Sequence, residues 1–179
     1  MPEKVRIGWI GCGFMGQQVH LPNFQKCKNA EIVAICDLRP KLAKAVAERW
    51  KIKKVYSTHS ELIHDDEVDA VVEITNRFSH AAIAIEALEA GKHVFTEKPI
   101  ASTAEDAKKM VEVAEKKHVK LMVGYMKRFD TGVQRAKNAF NELITNDRIT
   151  YARSHMFGED WLCGPFAEQL IKTEEKYPE

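Results

Sequence analysis

No apolar run in this chain approaches the roughly 18 residues that would cross a bilayer as a helix, and Glu3 precedes its first short apolar stretch. A membrane-spanning or secreted protein is therefore not expected, and a cytoplasmic one is. Excess charge of one sign is also lacking. The 27 Lys and Arg nearly balance the 26 Asp and Glu, leaving a formal charge of +1 with the two signs well mixed. That removes the electrostatic case for nucleic acid or an anionic membrane surface and leaves small molecules or protein as partners. Cysteine is scarce: Cys12, Cys27, Cys36 and Cys163 stand at unrelated spacings with no Cys-x-x-Cys, so neither a disulfide framework nor a metal site is expected. There is no internal repeat and no low-complexity tract. With 45% hydrophobic and 30% charged residues over 179 positions, the composition is that of a soluble domain with a real core, too short for a second domain of equal size.

What is present is an alternation. Val5 to Ile10 is an apolar run too short for a helix and ended by glycine, the form of a buried parallel strand. Glu31 to Cys36 repeats it, and Met15 to about Phe24 lies between them with apolar residues at helical spacing, a strand-helix-strand unit. Pro40 suits the first turn of a helix that continues through Leu42, Ala43, Val46, Ala47 and Trp50. Val55 and Tyr56 form a brief strand, and Thr58 with Glu61 a capping box. The spacing then predicts a strand over 68–74, a helix from Ala81 to Ala90 closed by Gly91, a strand over 92–96, a helix capped by Ser102 with Glu105 and running to Lys117, and a strand over 119–125. Repeated β-α units imply a doubly wound parallel sheet. Beyond Asp130 a helix to Ile144 and a strand-like stretch from Ile149 to Met156 are expected. From Phe157 to Glu179 no period is evident. The predicted organisation is a dinucleotide-binding Rossmann domain over 1–124, then a connecting helix and the incomplete start of an α+β open-sheet domain over 125–179.

Glycine triplets occur in loops by chance, so Gly11-Cys12-Gly13-Phe14-Met15-Gly16 matters for its position between a buried strand and a helix. There Gly11 makes the tight turn, Gly13 admits close approach of a pyrophosphate and Gly16 packs helix on strand, with Phe14 and Met15 in the same turn facing the cofactor. The helix end favours the anion. Asp37 ends the second strand about 20 residues after Gly16, where a carboxylate accepts hydrogen bonds from both ribose hydroxyls and repels a 2′-phosphate. Arg39, two residues on, is the group that would instead bind that phosphate. NAD is favoured over NADP.

Val68-Asp69-Ala70-Val71-Val72 through Thr75 and His80, then Ala87-Leu88-Glu89-Ala90-Gly91-Lys92-His93-Val94-Phe95, Glu97-Lys98-Pro99 and Gly124-Tyr125-Met126-Lys127-Arg128-Phe129-Asp130 together resemble the Gfo/Idh/MocA oxidoreductases. The resemblance spans about residues 4 to 156. It implies an NAD(P)-dependent dehydrogenase acting on a hydroxyl or carbonyl of a sugar, cyclitol or derivative, with Lys98 as the catalytic residue beside the nicotinamide. Glu97, Thr75, Asn76 and His80 would contact the cofactor, and Tyr125 and Arg128 the nicotinamide or substrate. Proton loss from a reacting hydroxyl calls for a group such as a lysine amine. The resemblance also implies a cis peptide at Pro99. Two residues depart from the family pattern: Asn76 stands where proline is usual, and Glu73 puts a carboxylate in a strand expected to be buried. The family's second domain supplies an Asp and His that complete the proton relay, and no such pair occurs here. The chain is therefore expected to be a truncated form or part of a longer protein, binding cofactor while lacking part of the active site, and homo-oligomeric at full length. The alternatives are a non-catalytic dinucleotide sensor of the same family, redox-cofactor glycosidase chemistry on the same first domain, and a methyltransferase, against which the lack of any later methyltransferase-like motif argues.

Overall fold

A computed structural model describes residues 4–144, 150, 151, 153, 155 and 170–177. Strands β1 (Val5–Ile10), β2 (Ala30–Cys36), β3 (Lys54–Tyr56), β4 (Ala70–Glu73), β5 (His93–Thr96) and β6 (Leu121–Val123) form one sheet in the order β3-β2-β1-β4-β5-β6. All five pairings are parallel. This is the doubly wound order in which the sense of strand addition reverses between β1 and β4, the place where such sheets bind ligands outside their carboxyl ends.

Helices cover both faces, because strands buried on both sides need two apolar layers. One cluster joins Ile10, Ala34, Val71 and Val94 to Leu62, Ala84, Leu88 and Met110 under α3 (His59–Ile63), α4 (His80–Glu89) and α5 (Ala104–Lys117). The other joins Ile7, Trp9, Ile32, Ile35 and Val72 to Leu21, Leu42 and Val46 under α1 (Leu21–Phe24) and α2 (Pro40–Trp50). A register shift between Ile7 and Gly8, whose partners are Ile32 and Ala34, turns Val33 and Ala34 to the same side and restores the alternation beyond. Gly8 is part of that packing: a Cβ there would sit 2.4 Å from Leu62 Cδ2.

Through residue 144 the predicted strands and helices are present, with shorter bounds where backbone pairing ends before apolar content does. The strand expected over 68–74 pairs only at 70–73 and the one over 119–125 only at 121–123. The Thr58–Glu61 capping box is formed. At α5 the cap is Thr103 and not Ser102. Thr103 has the extended backbone that a cap requires and accepts from Asp106 N, while Ser102 Oγ donates to the Arg77 carbonyl. A 3₁₀ turn (Met126–Phe129) leads to α6 (Thr131–Leu143), capped by Asp130, which buries none of its residues. Of the strand-like stretch over 149–156, the described Thr150, Tyr151, Arg153 and His155 are not in a strand, and the rest lies outside the described residues. Residues 170–177, expected to be aperiodic, have no regular secondary structure and touch the domain at Gln17 and Arg39 through Ile171 and Tyr177.

Candidate functional site

The glycine turn is built by contacts that leave it no alternative path. Gly11 has φ +102° and its amide donates to the Cys36 carbonyl, joining the ends of β1 and β2. A Cβ on Gly11 would lie 2.3 Å from the Ile74 carbonyl oxygen, so the turn presses against the end of β4. A Cβ on Gly16 would lie 2.7 Å from the Gly11 carbonyl oxygen, and Trp9 Nε1 donates to that same oxygen at 2.8 Å. Gly13 differs: nothing lies within 4 Å of its would-be Cβ. After the turn the chain winds one π-helical turn, Gly16–His20, before α1, and such turns recur at functional sites.

A cavity of about 590 Å³ opens over these carboxyl ends. Its walls include Gly11, Gly13, Phe14, Met15, Asp37, Arg39, Thr75, Asn76, His80, Glu97 and Lys98. Of the sequence-predicted cofactor contacts only Gly16 stands behind the wall, where it packs the turn. Tyr125 and Arg128 lie on the 3₁₀ turn after β6 and are not among the cavity walls.

Asp37 is buried, and its carboxylate is fully engaged. Oδ2 accepts from Cys12 N at 2.7 Å and from Arg39 Nη2 at 3.0 Å; Oδ1 accepts from Arg39 N at 2.9 Å and Nε at 2.8 Å. Arg39 is thereby folded back onto Asp37. Burial next to this carboxylate pushes the Cys36 thiol up to about 12 and the Cys12 thiol well above its ordinary range, so both are packing groups and not nucleophiles.

At the far end of the cavity Glu97, Lys98 and Pro99 follow β5, and the Lys98–Pro99 peptide is cis, as the resemblance implies. Glu97 Oε2 accepts from the Lys98 amide at 2.8 Å and Oε1 lies 2.7 Å from His20 Nε2. Burial alone would raise the Glu97 carboxyl; hydrogen bonds from His20 and the Lys98 amide outweigh it and hold it below the usual range. His80 is buried, with Nδ1 2.9 Å from the Pro99 carbonyl and Nε2 3.3 Å from that of Thr75. The turn bearing Lys98 is thus gripped from both sides while its side chain stays exposed in the cavity. Glu73 has an account too. It is wholly buried, accepts from Thr75 N at 2.9 Å, from the Thr75 hydroxyl and from Thr96 Oγ1 at 2.6 Å, and so ties β4 to β5 under the Thr75 loop. Asn76 Oδ1 accepts from Phe78 N at 3.0 Å, shaping the loop in place of the usual proline.

Reading the sequence alone missed His20 and Gln17. Gln17 is buried and its amide donates to the Cys12 carbonyl at 2.8 Å. The one available signal was their place on the helix that the glycine turn opens, since the partner of His20 is 77 residues away. Among the described residues no group of His, Cys, Asp and Glu clusters as metal ligands, and no helix is long and apolar enough to cross a membrane.

Comparisons with known proteins agree with this fold. An inositol 2-dehydrogenase/D-chiro-inositol 3-dehydrogenase of Shouchella clausii is 40% identical over 149 residues, which are 81% of this chain and 42% of that protein. A 3-ketoreductase from Actinomadura kijaniata, KijD10, solved with TDP-benzene and NADP, superposes with a TM-score of 0.73 at 29% identity over 78% of this chain and 44% of its own. An NAD-binding oxidoreductase from Klebsiella pneumoniae does so with a TM-score of 0.71 at 30% identity over 78% and 39%. The chain therefore spans less than half the length of these relatives. The model of the oxidoreductase family with the NAD-binding Rossmann fold matches residues 5–125, and with the glycine turn, Asp37, Glu97 and Lys98 lining one cavity, the chain belongs to the Gfo/Idh/MocA oxidoreductases.

Proposed function

We propose that the chain holds NAD in preference to NADP along this cavity, as the cofactor-binding part of a dehydrogenase that oxidises a hydroxyl of a sugar, cyclitol or derivative. The observation that supports this most is the contrast among the glycines. Gly11 and Gly16 have no room for a Cβ because backbone fills it, whereas Gly13 faces open space inside the cavity, a cradle that a Cβ would fill and a pyrophosphate can enter. Asp37 at one end fits a diol of a ribose and disfavours a 2′-phosphate. Thr75, Asn76 and His80 form the wall between that end and Glu97-Lys98.

The bound nicotinamide would supply the hydride acceptor. The chain's own contribution is Lys98. Glu97 and His80 fix the backbone on either side of Lys98 at the cavity wall, from where its amine would hydrogen-bond the reacting hydroxyl and take up its proton as the carbonyl forms. Tyr125 and Arg128 would face the substrate from the turn that opens the second unit, residues 125–179 following a dinucleotide-binding unit of 1–124. The 40% identity to an inositol dehydrogenase supports a polyol substrate.

Titration with NAD and NADP, followed by intrinsic fluorescence, tests the reading: saturable binding of NAD that Asp37→Ala weakens is expected, and no response to either dinucleotide would overturn it. With NAD and a polyol substrate, Lys98→Ala should leave NAD affinity within about twofold while lowering turnover by about 10² to 10⁴. Turnover unchanged by the substitution would remove Lys98 from the chemistry, and binding of NAD without any turnover by the parent would leave a dinucleotide sensor.

A further inference from the structure

Residues 170–177 return to the nucleotide-binding face and are fastened there at three places. Ile171 N donates to Gln17 Oε1 at 2.8 Å, and the Ile171 carbonyl accepts from Gln17 Nε2 at 3.1 Å. Glu175 Oε2 accepts from Leu42 N at 3.1 Å, an amide in the first turn of α2, whose own cap residue Arg39 makes no side-chain cap bond. Tyr177 lies with its ring centroid 4.4 Å from the guanidinium carbon of Arg39 and forms part of the cavity wall beside Asp37 and Gly13.

Arg39 is therefore held along its edge by the Asp37 carboxylate and on its face by the Tyr177 ring, an arrangement that suits a planar cation. The consequence falls on Asp37. A carboxylate offers about four lone-pair positions, and Cys12 N, Arg39 N, Arg39 Nε and Arg39 Nη2 take four. Ribose hydroxyls can reach Asp37 only when the guanidinium lets go.

We propose that Tyr177 is an affinity-determining latch: by stacking on Arg39 it keeps the guanidinium on Asp37, so that entry of the adenosine ribose competes with the 170–177 segment. The proposal rests on the dinucleotide reading above and adds a residue far along the chain that sets how tightly the same site binds. Loosening the latch tightens NAD binding, because the cofactor no longer displaces a doubly held arginine.

The test is NAD affinity by calorimetry on the full 179-residue chain and its variants. Tyr177 is exposed, so its replacement leaves the core intact. Tyr177→Ala should bind NAD tighter by roughly two- to fivefold, the factor expected for one exposed cation–π contact. Tyr177→Phe, which keeps the ring face, should match the parent. In an Arg39→Ala background, Tyr177→Ala should change nothing. Unchanged or weaker binding by Tyr177→Ala, or equal tightening in the Arg39→Ala background, overturns the latch while leaving the cofactor assignment standing, provided Asp37→Ala still weakens binding. No NAD response in any of these proteins overturns both.

Discussion

Gly11 and Gly13 stand two residues apart and should answer the same substitution in opposite ways. A Cβ at Gly11, already at positive φ, meets the backbone of Ile74 just after β4 at 2.3 Å, and that backbone cannot step aside. Gly11→Ala is expected to cost at least about 2 kcal/mol of stability, read as a lower urea midpoint. Gly13→Ala should leave stability within about 0.5 kcal/mol, since its Cβ meets nothing, and yet lower NAD affinity by at least about tenfold in calorimetry. The same residue scale holds His20. Its contact with Glu97 is one of the two that keep this buried carboxyl below its usual range. A lowered carboxyl contributes stability that is present above the ordinary carboxylate range and lost as pH falls through the depressed value. His20→Ala should therefore cost about 1–2 kcal/mol near neutral pH, a difference that shrinks once Glu97 is protonated in both proteins. Thermal melts from pH 7 to pH 3 check it.

Among the elements, helix ends are the places where sequence and structure can be set against each other most sharply. Ser102 and Thr103 are adjacent, and both have the side-chain chemistry of a cap. The decision lies with backbone, because only Thr103 immediately precedes Ala104 in an extended conformation with its oxygen on Asp106 N. Thr103→Ala is expected to lose about 1 kcal/mol and Ser102→Ala less than about 0.5 kcal/mol, measured by chemical denaturation. Strand β3 offers a second case. Asp65 accepts from Lys54 Nζ at 2.7 Å and Tyr56 Oη at 2.8 Å, fastening a three-residue strand to the loop before β4. The Lys54 ammonium is the main cause that draws its carboxyl down to about 2, with the Glu67 amide and Tyr56 hydroxyl assisting against desolvation. Being lowered, this group contributes stability above about pH 4 that disappears as pH falls through about 2. Asp65→Asn should thus melt earlier than the parent at pH 6 and converge with it near pH 2.

For the molecule as a whole, binding to the folded state alone makes stability a readout of the site. At 100 times its dissociation constant NAD adds about 2.7 kcal/mol, which for a chain of this size raises Tm by about 5–10 °C. No shift in the wild-type melt at saturating NAD would count against the cofactor assignment as directly as a failed titration.

The sheet, its strand count and most of its helices could be read from apolar runs, glycine stops and 3.6-residue spacing, because those patterns report local burial. The glycine turn and Asp37 were open to reading for a related reason, their chemistry being confined to a few neighbouring residues, whereas Glu97-Lys98-Pro99 was singled out only through the family resemblance. Strand bounds were less legible, since Val68 and Val119 are apolar for packing and not for pairing. What tertiary structure alone decided is whatever joins distant residues. It seats His20 on Glu97, gives the buried Glu73 its Thr96 partner, lets the Cys12 amide and Arg39 occupy Asp37, and lays Tyr177 against Arg39. A hydrogen bond or a stacked cation depends on positions within about 3–5 Å in space, and separation along the chain carries no trace of that distance. The sequence by itself determined that a dinucleotide-type site would form at the carboxyl ends of β1, β2, β4 and β5; only folding determined which of the chain's own groups already stand in it.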